Sequence, residues 1–259
     1  MPENAFIGID VAFAKKKLLP ICVCVIRNNR LYPLVLKDNS NLPLYPRGRG
    51  NKLAIDTSVV ENFAEEALAY ICAIENKFDI KIVRIAIDAP SAFRRPEVER
   101  REAEKAMDRL GISCFATPSK EDFDNIIKKV KNHLGSGGSE SMIPHANQLW
   151  MLAGFSLFEK LRSKYECIEV FPQAIVTALK CSKVHKSKKD GLTTQEKAAW
   201  NATGWTECDT PELRSAVFGS PNDRLDAYLS AWIASLPEKE RTCHGNKLSD
   251  DVIWTQKAT

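Results

Sequence analysis

Apolar residues in the N-terminal part of the chain come in short runs separated by polar breaks. "AFIGIDVAF", "LLPICVCVIR" and "LYPLVLK" are rich in β-formers, and "RNNR" joins the last two. That succession predicts a three-stranded antiparallel meander with an Asn-Asn hairpin turn. After a loop carrying "LPLYPRGRGN" the period changes. In "DTSVVENFAEEALAYICAIENKF" residues Val59, Phe63, Ala67, Tyr70 and Ile71 share one helical face, with Asp56 to Ser58 as cap candidates. "KIVRIAIDAP" is a mostly apolar run ending in an aspartate, the character of an interior strand.

Helical patterns follow in "PEVERREAEKAMDRLG", stopped by Gly111, in "EDFDNIIKKVKNHLG" and in the amphipathic "HANQLWMLAGFSLFEKLRSK". "GSGGSE" at 135–140 reads as a mobile loop or lid. "YECIEVFPQ" returns to strand, and "DVIWTQ" is a last short strand. Between them, "GSPNDRLDAYLSAWIASL" opens with Asp223 and Asp226 one turn apart and continues almost without a polar residue, so it predicts a helix buried nearly all round. The order predicts one α/β domain over residues 1–259. Its mixed five-stranded sheet has three antiparallel strands and then parallel ones, strand 1 central, with helices on the flanks.

Composition adds bounds. The chain has 259 residues, 44% hydrophobic and 27% charged, enough for one sizeable core. No apolar run approaches a membrane span and the N-terminus has no basic leader pattern, so a cytoplasmic location without membrane contact is expected. The eight cysteines are scattered with no C-x-x-C pair and read as reduced, mostly buried thiols. A net charge of +4 does not by itself diagnose a nucleic-acid partner. Local basic clusters do occur at Lys15–Lys17, Arg47/Arg49/Lys52, Arg94/Arg95, Arg100/Arg101, Lys128/Lys129/Lys131 and "KVHKSKK".

The acids carry the chemistry. Asp10 follows "FIGI", Asp88 follows "VRIAI", Glu169 sits in "CIEVFP", and Asp223 and Asp226 open the late helix. Acids at the carboxyl ends of neighbouring parallel strands converge on a crevice, and clustered carboxylates are best explained by a divalent cation. Hard oxygen ligands suit Mg²⁺ or Mn²⁺, and two such ions can drive phosphodiester hydrolysis. Each acid alone also fits a turn, a cap or an ion pair.

These residues resemble the ribonuclease H-like fold, in particular its Holliday-junction resolvase branch. "GIDVAFAKKK", "IDAPSAFRRPEVERREAEKAMDRLGI", "FATPS", "EVFPQA", "HKSKKDG" and "NDRLDAYLSAWIA" together resemble the family called domain of unknown function 429, over nearly the whole chain. The resemblance implies a metal-dependent nuclease acting on DNA or RNA. Its catalytic residues would be Asp10, Asp88, Glu169 and Asp226, and its Mg²⁺ or Mn²⁺ ligands those four with Asp223. Asp88 stands where the resolvases usually carry a glutamate. A homodimer is the assembly the resolvases suggest. Arg94, Arg95 and Arg101 would line the crevice and hold phosphate, Lys186 would neutralise transition-state charge, and His145 and His185 are candidate proton carriers.

Two other functions fit the same residues. A catalytically silent binding protein would keep the fold without the reaction. An ATP-dependent phosphotransferase of the actin or sugar-kinase type shares the core, but "VAFAKKK" after Asp10 and "APSAF" after Asp88 lack the glycines such proteins use to approach phosphates.

Overall fold

In the computed structural model, which describes residues 2–37, 42–181, 189–206, 208–249 and 251–257, the N-terminal meander forms as the sequence predicts. β1 (Glu3–Asp10) pairs antiparallel with β2 (Ile21–Arg27), and β2 with β3 (Arg30–Pro33). Asn28 and Asn29 make the turn with φ of 51° and 58°. Positive φ at both central residues is the hairpin geometry that matches strand twist, and asparagine tolerates it.

The chain then enters α1 (Thr57–Phe78), whose cap is Asp56 accepting from the Ser58 amide at 3.0 Å. Asp79, in the left-handed region, ends it. The crossover delivers β4 (Ile80–Asp88) parallel to β1. Its register shifts between Ala5 and Phe6, where Ile82 and then Arg84 are the partners. The extra residue switches the phase of β4, so that Ile80, Ile82, Ile85 and Ile87 all reach the same core.

β5 (Glu166–Glu169) adds in parallel to β4, giving the order β3-β2-β1-β4-β5. This is the mixed five-stranded α/β sheet expected, with β1 in the centre. Ala5, Ile7 and Ile9 face a core shared with α1, α3 (Lys120–Gly135) and α4 (Trp150–Arg162), and Phe6 faces the second core, shared with α8 (Pro221–Ser235), which follows α5 (Pro172–Ala178), α6 (Lys189–Ala202) and α7 (Leu213–Ala216). The alternation of side chains along a strand thus buries both faces.

Some boundaries differ from the sequence pattern. α2 spans only Glu102–Arg109, because the preceding turns are held by the Arg94 guanidinium on the carbonyls of Arg95 and Val98. α4 starts at Trp150 rather than near His145, whose φ of 55° cannot continue a helix. The last strand, β7 (Asp251–Gln256), does not join the sheet as a sixth member. It pairs antiparallel with β6 (Arg241–Asn246) in a separate two-stranded ribbon, touching the sheet's edge through a bridge between Val170 and Trp254. "RTCHGN" has no apolar alternation, which is why it reads as loop. Among the described residues no helix is long and apolar enough to cross a membrane, and all eight cysteines are free.

Candidate functional site

The sheet itself brings the two strand-terminal aspartates together. β1 and β4 are parallel, and Asp10 is the register partner of Asp88. Both are half-buried at the carboxyl ends of their strands, where open α/β sheets gather ligands. Asp226 is delivered to the same end by α8. The helix packs on β1 where Gly8 leaves no side chain: a Cβ there would stand 1.9 Å from the Ala227 carbonyl oxygen and 2.3 Å from the Ala231 nitrogen. At the other end of α8, Arg84 of β4 donates to the carbonyls of Ala234 and Leu236. The helix therefore runs antiparallel to β1 and β4, with its first turn over their carboxyl ends. Asp226 is buried there, 7% exposed.

Glu169, one register step behind Asp88 on β5, opposite Ile87, has a different environment. Its carboxylate accepts both terminal nitrogens of Arg101, at 3.0 and 2.7 Å, and the Ser91 amide at 2.8 Å. The Arg101 Nε donates to Asp251 at 3.0 Å. Both Arg101 and Glu169 have side chains only 5% exposed. Burial alone would lower the guanidinium's pKa, but the charges of Glu169 and Asp251 outweigh it and hold the group above its ordinary value. The expected metal ligand Glu169 is thus one arm of a buried, bidentate ion pair.

Asp223 is likewise engaged. It forms a reciprocal capping box with Ser220 and accepts from Lys17 Nζ at 3.1 Å. Burial would raise its pKa, and the Ser220 hydrogen bonds with the Lys17 ammonium bring it below the usual carboxylate range. The two acids that open α8 therefore have different roles: Asp223 fixes the helix start, and Asp226 lies deeper at the strand ends.

The expected phosphate-binding arginines do not converge. Arg101 is committed to Glu169 and Asp251. Arg94 pairs with Asp122 beside a separate groove on α3, and Arg95 is exposed, 3.6 Å from Glu97. His145 lies in that same groove. Lys186 and His185 lie outside the described residues. Among the described residues no three His, Cys, Asp or Glu side chains come close enough together to hold one metal ion.

Beside Asp88 the structure opens a cavity of about 70 Å³ whose walls include Arg101, Glu104, Phe115, Trp150, Glu169 and Phe171. Glu104 is 2% exposed. Its Oε1 accepts from the Thr117 amide at 2.9 Å and from the Thr117 hydroxyl, while Oε2 has no hydrogen-bond partner and lies 3.6 Å from Arg100 Nε. Burial raises its pKa despite the Thr117 hydrogen bonds.

Sequence reasoning missed Asp251 and Glu104. Asp251 caps α2 from the far end of the chain, accepting from the amides of Glu102 at 2.7 Å and Ala103 at 3.4 Å. The available signal was a helix preceded by Arg101, with no local Ser, Thr, Asp or Asn to cap it. For Glu104 the signal was its place beside Ala103 and Met107, the apolar pair that buries α2.

No curated protein and no solved structure matches the chain. A family model does, the one described as "Protein of unknown function (DUF429)", over residues 51–248. The matched span holds Asp88, Arg101, Glu104, Glu169, Asp223 and Asp226, and leaves Asp10 and Asp251 outside. With most of its length matched, the chain belongs to the DUF429 family.

Proposed function

We propose that this protein is a divalent-cation-dependent nuclease hydrolysing phosphodiester bonds. The observation that carries the reading is the register pairing of Asp10 with Asp88 at the carboxyl ends of adjacent parallel strands, with Asp226 delivered to that end by α8. Two or three carboxylates so placed supply hard oxygen donors. Mg²⁺ commonly takes only one or two protein carboxylates and completes its shell with water and substrate phosphate, so a cage of protein ligands is not required. When bound, the cation would stabilise charge on the phosphodiester and lower the pKa of the attacking water. Asp10 and Asp88 would hold it, with Asp226 acting from α8 on its water shell. Arg101 and Glu169 neutralise each other and fix the floor beside Asp88, and the Ser91 amide on Glu169 Oε2 anchors the loop after β4.

A second reading is favoured by the committed state of Glu169. With that acid locked to arginine, the same cleft serves a protein that binds nucleic acid or nucleotides without cleaving them.

The test is cleavage of labelled single-stranded and branched DNA and RNA with Mg²⁺ or Mn²⁺, alongside calorimetric titration of Mn²⁺. Asp10→Asn and Asp226→Asn should abolish cleavage and weaken Mn²⁺ binding with the unfolding transition retained. Absence of both cleavage and Mn²⁺ binding in the wild type would sink the nuclease reading and leave the binding one.

A further inference from the structure

We infer that the groove along α3 carries a single-stranded nucleic acid to the carboxylates at the sheet's end, with Phe115 as a ring on which one of its bases stacks. The inference deepens the nucleic-acid reading above and rests on it. The groove encloses about 590 Å³ and adjoins the cavity beside Asp88, because the same two segments wall both. On the first segment Phe115 lines the cavity and the next residue, Ala116, the groove; on the second, Trp150 lines the cavity and Gln148 the groove. The segments meet where Gln148 Nε2 donates to the Ala116 carbonyl at 3.3 Å.

The groove has the chemistry of a backbone track. Asn125, Lys128, Lys129 and Asn132 line it and are exposed. Their spacing, i, i+3, i+4 and i+7, makes one stripe about 10 Å long on α3. The stripe offers two ammonium groups and two amides, donors that phosphate and sugar oxygens accept. Two acids lie in the same groove, but Asp122 is neutralised by Arg94, so the two lysines face only Glu99 and the groove is net positive. The aromatic element lies where groove and cavity join. Phe115 is 56% exposed and Trp150 is half-buried. Aromatic surface beside a cationic groove holds single strands by base stacking, without sequence preference. A duplex keeps its bases stacked on one another and gives such a ring nothing to take. Two lysines also neutralise little of a duplex that carries one charge per about 1.7 Å.

The experiment measures fluorescence anisotropy of a labelled, mixed-sequence DNA strand of about 12 nucleotides, and of the same strand annealed to its complement, in EDTA at low salt. The single strand should bind at least about tenfold more tightly than the duplex, the worth of one or two stacked bases. Phe115→Ala, at an exposed position, should weaken the single strand about tenfold and leave the duplex unchanged, while Phe115→Trp should keep the wild-type affinity. Lys128→Glu/Lys129→Glu should weaken the single strand at least about tenfold. Lys77→Glu/Lys81→Glu makes the same charge change at the amino end of β4, away from the groove. It should weaken binding less than about threefold, because salt screens charges at that distance. The thermal unfolding transition of each variant confirms that it is folded.

A duplex bound as tightly as the single strand, no binding of either probe, an unchanged single-strand affinity in Phe115→Ala, or equal losses from the two lysine pairs would each overturn the inference. Because the cation is absent, the outcome is separate from cleavage. Single-strand binding that depends on Phe115 and the α3 lysines, without cation-dependent cleavage, leaves the track standing on a binding protein. Cleavage of duplexes with no single-strand preference keeps the nuclease reading and removes the track alone.

Discussion

At the scale of single residues, the pair Arg101–Glu169 decides the character of the cleft. Taking two charges out of water is costly, and the cost is repaid only when both are fully hydrogen-bonded. Here the guanidinium's three nitrogens are all used, two on Glu169 and one on Asp251, and the Ser91 amide takes a further bond on Glu169. Removing one partner leaves the other as an uncompensated buried charge. Arg101→Met should therefore lower the free energy of unfolding by about 3–5 kcal/mol, and Arg101→Met/Glu169→Leu should recover much of that loss. Urea denaturation of the two variants checks it, and a double mutant no more stable than Arg101→Met would show that the pair's charges are not the source. Asp10, Asp88 and Glu169 were all legible in the sequence as acids at strand ends. The partner of Glu169 was not, because Arg101 lies 68 positions away along the chain and in sequence looks like one more member of a basic cluster.

At the scale of elements, local signals succeeded where they were strong. The double asparagine turn, the Asp56 cap, the isoleucine-rich β4 and the Ser220 capping box are all written within a few residues of where they act. They failed where an element depends on a distant one: α2 takes its cap from Asp251, and β6 exists because β7 pairs with it. The contact that positions Asp226 combines both kinds. Helix α8 could be foreseen, but its seating depends on the missing side chain of Gly8, midway along β1. Gly8→Ala would drive a Cβ into the Ala227 carbonyl, and backbone cannot yield as a flexible side chain does. The helix would have to lift from β1, at a cost of at least about 1–3 kcal/mol by the usual penalty for overpacking. It would carry Asp226 away from Asp10 as it moved. The expected outcome is a lowered Tm together with weakened Mn²⁺ binding, measured by calorimetry on protein that is still folded. Unchanged Mn²⁺ binding would mean that the seating of α8 on Gly8 does not place the third carboxylate.

At the scale of the whole molecule, the sequence shows separate basic clusters without saying whether they converge, and among the described residues the structure spends many of them on ion pairs. Lys17 is paired with Asp223, Arg49 with Glu66, Lys52 with Glu140, Arg94 with Asp122 and Arg101 with Glu169. Such pairing could not be read from the chain, since each partner comes from a different element. Among the described residues, pairing of this kind leaves few uncompensated cations to any one track. Lys128 and Lys129, exposed on the face of α3 that lines its groove, are the clearest of these. Each phosphate neutralised on a single strand contributes about −0.7 to the slope of log K against log salt. Two such contacts give a slope near −1.4, far shallower than that of a protein which binds through a basic stripe. Affinity for a short single strand should therefore fall only about sevenfold between about 50 and 200 mM salt. Lys128→Glu/Lys129→Glu should flatten the dependence further. A steep slope, of magnitude about 5 or more, would mean that phosphate contacts dominate and that the ion pairs seen within the molecule open when nucleic acid arrives.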